Sequence, residues 1–163
     1  MKKTYQFALA GFQPAYPHRV EKVVFPSDPD ELRGWLQEQG RSRLPGLLGM
    51  QLVELTAQLC VMRLDVDLRH QAPNGFLHAG TLVAMADTAA GFGCLASLPE
   101  GGTGFTTIEL KSNHTGTVLE GGVEAVAAMA HGGRTTQVWD VTMTAEATGR
   151  TLALFRCTEL IIY

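Results

Sequence analysis

The sequence predicts an α+β domain: one long buried helix against an antiparallel sheet of about six strands, with an extra arm and helix at the N-terminus. The segment from Ala79 to Leu98 is long, apolar on nearly every side and free of internal proline, which suits a helix wrapped by other elements. Two stretches of period-two patterning precede it and four apolar stretches follow it. Turn-forming pairs such as Glu120-Gly121, Gly132-Gly133 and Gly149-Arg150 separate the later ones. Helix, two strands, helix, four strands is an order that closes as one helix packed on one sheet.

Taken in order, Met1 to Pro26 is rich in aromatics and proline without a sustained period, and reads as an arm lying on the domain or on a neighbouring subunit. Asp28-Pro29-Asp30-Glu31 starts a helix, because a capping Asp, a Pro at the first helical position and a Glu three residues on satisfy or dispense with the orphan amides. Leu32, Trp35 and Leu36 share its apolar face and Gly40 closes it. Residues 1–43 therefore form an arm and capping helix, and residues 44–163 the main domain. After Pro45, Leu48, Met50, Leu52 and Glu54, then Leu59, Val61, Arg63 and Asp65, predict two strands turning near Thr56-Ala57. Asp67 to Leu77 is a loop. The later strands are expected over 103–112, 121–130, 135–147 and 151–162.

Composition excludes several classes. With 45% hydrophobic residues, 18% charged and a formal charge of -3, the chain has no electrostatic reason to bind nucleic acid. Cys60, Cys94 and Cys157 are odd in number and far apart among apolar neighbours, so they read as reduced, buried thiols. The five histidines lack ligand spacing, and no metal is expected. The apolar run behind Lys2 and Lys3 is too short for a signal peptide, no stretch reads as a membrane span, and the cytoplasm is the expected compartment. Gly91-Phe92-Gly93-Cys94-Leu95-Ala96 fits a dinucleotide fingerprint only as a string, since it lies inside a helix.

One residue breaks the pattern. Asp87 is the only ionisable carboxylate of the long helix, and its neighbours three and four positions away are Val83, Ala84, Ala90 and Gly91. A carboxylate in that company is costly unless it meets water, a donor or an interface, and burial raises its pKa. Such groups are enriched at functional sites. Upstream, Asn74-Gly75-Phe76-Leu77-His78-Ala79-Gly80 is a polar entry to the same helix. The first amides of a helix lack internal partners and sit at its positive end, so the N–H groups of Ala79 and Gly80 are candidates to polarise a carbonyl held at the helix mouth. Asp87 lies about two turns further in.

His78-Ala79-Gly80 with Asp87-Thr88, following Pro73-Asn74-Gly75 and preceded by Leu47-Leu48-Gly49-Met50, resembles the PaaI-like hotdog thioesterases, whose pattern is His-Gly-Gly, six residues, then Asp or Glu and Thr. The resemblance runs from about Leu44 to Leu160 and takes in the strand Thr107-Ile108-Glu109-Leu110 and the turn Gly133-Arg134-Thr135. It implies a hotdog fold, a homodimer or dimer of dimers, and hydrolysis of an aromatic or medium-chain acyl-CoA, with CoA present only as part of the substrate and no cofactor. In that reading the Ala79 amide polarises the thioester carbonyl while Asp87 attacks it or activates water. Gly80, His78 and Asn74 complete the catalytic candidates; Arg134, Thr135 and Asn113 are the candidates for contact with CoA, Arg134 through a phosphate. The chain departs from the family at four places. Ala72 stands where an Asn is usual, Ala79 where a Gly is usual, and Gly91 where relatives place a Ser or Thr one turn after the carboxylate. The segment from Asn113 lacks the usual Arg. A non-catalytic acyl-CoA-binding module is the alternative these departures admit, and a dehydratase is a third reading that lacks its Asp and His pairing.

Overall fold

A computed structural model describes residues 23–163. The arm expected over Met1 to Pro26 lies mostly outside the described residues. Helix α1 spans Pro29–Arg41, α2 Leu44–Leu47 and α3 Ala79–Ala96; strands are β1 Gln51–Leu55, β2 Leu59–Val66, β3 Gly104–His114, β4 Gly121–Gly132, β5 Thr136–Ala145 and β6 Thr151–Ile162. All six strands join one antiparallel sheet in the order β1-β2-β4-β5-β6-β3. Helix α3 meets every strand of the sheet, as expected of a hotdog fold. Because α3 connects β2 to β3, the chain crosses from one side of the sheet to its far edge, and β3 is left as an edge strand bonded only to β6.

The N-terminal helix forms for the expected reason. Asp28 accepts hydrogen bonds from the amides of Asp30 and Glu31, both at 3.0 Å, with Pro29 at the first helical position. Its last residue is Arg41, not Gly40, and Ser42 is the cap. Leu32 and Leu36 are buried in the same core as the sheet, while Trp35 is half-buried and meets Phe25 edge to face at 5.4 Å. The turn at Thr56 is also as expected: its hydroxyl accepts from the amides of Gln58 and Leu59.

Three expectations are corrected. The period-two reading from Leu48 began too early, because Leu44–Leu47 is a helical turn and β1 starts at Gln51. Within β2 the inward set is Cys60, Met62, Leu64 and Val66, with Arg63 facing out to pair with Asp65 and Glu146. Burial, not the charges, decides the face a strand turns to its core. Third, α3 does have the length and apolarity of a membrane span, and half of it is buried by the sheet. Nor is it enclosed on every side. Leu82, Met85, Ala86, Ala89, Ala90, Gly93 and Cys94 are buried, whereas Val83, Ala84, Asp87 and Thr88 form a stripe that stays partly exposed.

Small residues let the sheet close on α3. A Cβ on Gly93 would stand 2.5 Å from Cη2 of Trp139, which is fully buried, and one on Gly91 would stand 2.7 Å from Cζ of Phe105. The side chains of β5 and β3 thus occupy the space that larger helix residues would fill.

Candidate active site

The loop before α3 is anchored by His70, which is 1% exposed. Its Nδ1 accepts from the Asp67 amide at 2.9 Å and its Nε2 lies 2.8 Å from the Leu48 carbonyl oxygen. A carbonyl only accepts and an amide only donates, so Nε2 is the ring's donor to Leu48 and Nδ1 the acceptor from Asp67. The His70 carbonyl then accepts from the His78 amide at 2.8 Å and from the Thr81 hydroxyl at 3.2 Å, which sets where α3 begins. Spacing gave no sign of this role, because it depends on contacts with Leu48 and Asp67.

At the mouth of α3, His78 is the N-cap and its Nδ1 accepts from the Gly80 amide at 2.8 Å. Gly80 N–H is therefore occupied. Among the described residues Ala79 N–H has no hydrogen-bond partner, and Ala79 is exposed, so of the two candidate donors Ala79 is the one left free to meet a carbonyl. Asn74 is exposed and its Oδ1 accepts from the Phe76 amide at 3.2 Å, closing the turn. Gln71 reaches the Leu119 carbonyl instead of the helix mouth.

Asp87 sits in the middle of α3, half-buried on its partly exposed stripe. Burial pushes its carboxyl above the usual carboxylate range, and a hydrogen bond from the Thr107 hydroxyl, 3.4 Å from Oδ1, opposes the shift. No ion pair involves it among the described residues. Thr107 is aimed inward next to a β-bulge between Thr107 and Glu109, a device that redirects side chains beside sites. Behind it lies Glu159, fully buried and opposite Thr107 in the register of β3 with β6. Neither residue was foreseen. The alternation Phe155, Cys157, Glu159, Ile161 carried a signal for Glu159, since it puts an acid in an otherwise apolar inward row.

The remaining candidates are not brought together within one chain. Ala79 and Asp87 are eight residues apart on one continuous helix, about 12 Å along its axis. The β4–β5 turn with Arg134 and Thr135 lies near the C-terminal end of α3, where Gln137 and Ser97 hydrogen-bond. Arg134 is exposed, with its guanidinium carbon 5.8 Å from the Tyr163 ring centroid. Asn113 is exposed and pairs with Leu154, far along β6 from Glu159.

The half-buried carboxylate and the free helix-entry amide lie on one helix of a chain whose type comparison with known proteins names. A Bacillus subtilis protein named as an esterase is 38% identical over 115 residues, spanning 71% of this chain and 90% of its own. The thioesterase superfamily model matches residues 74–152. The chain belongs to the thioesterase superfamily. This thioesterase is also 33% identical over 111 residues to the 1,4-dihydroxy-2-naphthoyl-CoA hydrolase of Listeria monocytogenes, covering 68% of its own length and 89% of that protein's. The crystal structure of a mutant of the thioesterase PA1618 from Pseudomonas aeruginosa superimposes with a TM-score of 0.74 at 26% identity, covering 80% of this chain and 93% of that one. The stretch matched by the superfamily model contains the helix mouth, Asp87 and Thr107.

Proposed function

We propose that this thioesterase hydrolyses aromatic or medium-chain acyl-CoA in the PaaI-like manner, with Asp87 as its catalytic carboxylate and Ala79 N–H as the donor to the thioester oxygen. The observation that carries the reading is Asp87 itself: a half-buried acid with no cation, tied at Oδ1 by Thr107 and receiving no hydrogen bond at Oδ2 among the described residues. That free oxygen is the one available to a water or a thioester carbon. The name of the Listeria hydrolase supports an aromatic acyl group for this chain.

The spacing of the two groups supports a homo-oligomer, as dimer or dimer of dimers. Both must lie within about 3 Å of one reacting centre, and a single helix holds them some 12 Å apart. Asp87 of one copy and Ala79 N–H of another meet the same carbonyl if two α3 helices face each other along their partly exposed stripes. Arg134, Thr135 and Asn113 are then contacts for CoA from more than one chain. Three buried free thiols suit a reducing compartment, supporting a cytoplasmic site of action, and the chemistry needs no cofactor beyond the CoA of the substrate.

Release of free thiol from a panel of acetyl-, octanoyl-, benzoyl- and naphthoyl-CoA tests the reading. Turnover greatest for the aromatic and medium-chain members is expected. Saturable binding without thiol release would instead establish an acyl-CoA-binding module, which Ala79 and the occupied Gly80 amide would then explain.

A further inference from the structure

Glu159 is 0% exposed and stands on the inward face of β6. Its Oε1 accepts from the Cys157 thiol at 3.2 Å, and its Oε2 is buried without a hydrogen-bond partner. The groups that face it are known from every element around it. Helix α3 brings Asp87 and Cys94, β3 brings Thr107, and β6 brings Cys157. From β5 comes Gln137, whose amide is committed to Ser97 and the Trp139 indole. No described Lys, Arg or His forms an ion pair or hydrogen bond with Glu159 or Asp87.

An ionised carboxylate with one sealed, unpartnered oxygen and no cation is among the costliest groups a core can hold. Two carboxylates sharing a dry region do not both ionise. The thiols offer no alternative site for the charge, since burial pushes Cys94 up to about 12 and Cys157 higher still. Asp87 is the less buried of the two acids and receives a hydroxyl donor where Glu159 receives only a weak thiol one, so it takes the charge and Glu159 keeps the proton.

We propose that Glu159 is a positioning residue of the site: it carries a proton in the resting protein and so leaves Asp87, across Thr107, as the one ionised carboxylate of the pair. With Glu159 neutral, the Thr107 proton goes to Asp87 Oδ1 and leaves Oδ2 for the reaction. The same arrangement supplies, from β3 of the same chain, a hydroxyl on the carboxylate that the helix cannot offer at Gly91, where Phe105 fills the space. Burial raises the Glu159 carboxyl above its usual range, the Cys157 thiol opposes this, and the charge of Asp87 raises it further.

The catalytic role of Asp87 in this inference rests on the function proposed above, but its protonation claim does not. Infrared spectroscopy of the whole protein at neutral pH reads the claim without substrate. A protonated-carboxyl C=O band is expected in the wild type, retained in Asp87→Asn and lost in Glu159→Gln. Absence of the band from the wild type, or its loss in Asp87→Asn, overturns the proposal; the second comparison decides even if Glu159→Gln does not fold. In thiol release, Thr107→Val should move the acid limb of the kcat/KM profile to higher pH, because Asp87 loses the donor to its charged form. Glu159→Gln, which mimics the neutral acid, should leave that limb in place. A limb moved to lower pH by Glu159→Gln would show that Glu159 had been charged, and would contradict the proposal.

Discussion

At the scale of single residues, the decisive quantity is the free energy of an ionised Asp87 in half-apolar surroundings. Its folded pKa lies above the unfolded value because burial outweighs the Thr107 hydrogen bond. The native state therefore binds more protons than the unfolded chain between the ordinary carboxylate range and the raised value, and stability falls as pH rises through that window. Asp87→Asn removes this cost. The variant should melt higher than wild type at neutral pH, with the difference fading as pH falls to the ordinary carboxylate range; scanning calorimetry across pH measures it, and a constant difference would contradict it. The anomaly of Asp87 was legible because an acid among Val83, Ala84, Ala90 and Gly91 needs only helical spacing to be seen. The capture of the Gly80 amide by His78, and Thr107 as the donor to Asp87, were not, since a cap geometry and a bulge at Thr107 are set by tertiary contacts.

At the scale of elements, α3 is positioned by what it lacks. Gly93 faces the ring of Trp139, which is held in place by its Nε1 donating to Gln137 Oε1 at 2.9 Å. Alanine there gains up to about 1 kcal/mol of helix propensity, but its methyl meets an immobile indole, and overpacking costs about 1–3 kcal/mol. Gly93→Ala should therefore lower stability, by up to about 2 kcal/mol when the full propensity gain is realised, in denaturant melts. An increase would mean that Trp139 moves freely. The order of elements was readable from periodicity and turn residues, and β6 was expected over the residues it occupies. Where the reading slipped, at Leu48 to Met50 ahead of β1 and on the inward face of β2, apolar residues spaced by two and a charged outward row imitate the alternation of an inward strand face. Local pattern alone does not separate those cases.

At the scale of the whole molecule, the proposed oligomer follows from what one chain leaves open. The edge strand β3 exposes Ile108 and Leu110, α3 leaves a stripe around Asp87 open, and Ala79 N–H is too far from Asp87 to share a carbonyl with it. Exposed apolar edges invite pairing, and a second copy placed by two-fold symmetry covers both copies at once. The double variant Ile108→Lys, Leu110→Lys should sediment as a folded monomer and lose at least tenfold in turnover, while the wild type sediments as a dimer or tetramer; an active monomer would refute an interface-built site. The central claim is that thioester cleavage runs through Asp87. Its most direct test is single-turnover cleavage of benzoyl-CoA by Asp87→Asn, with binding of the same ligand measured in parallel. The account predicts affinity within about threefold of wild type and a rate at least 100-fold lower, about 2.7 kcal/mol of lost transition-state stabilisation. A rate within about threefold of wild type, less than 1 kcal/mol, would contradict it.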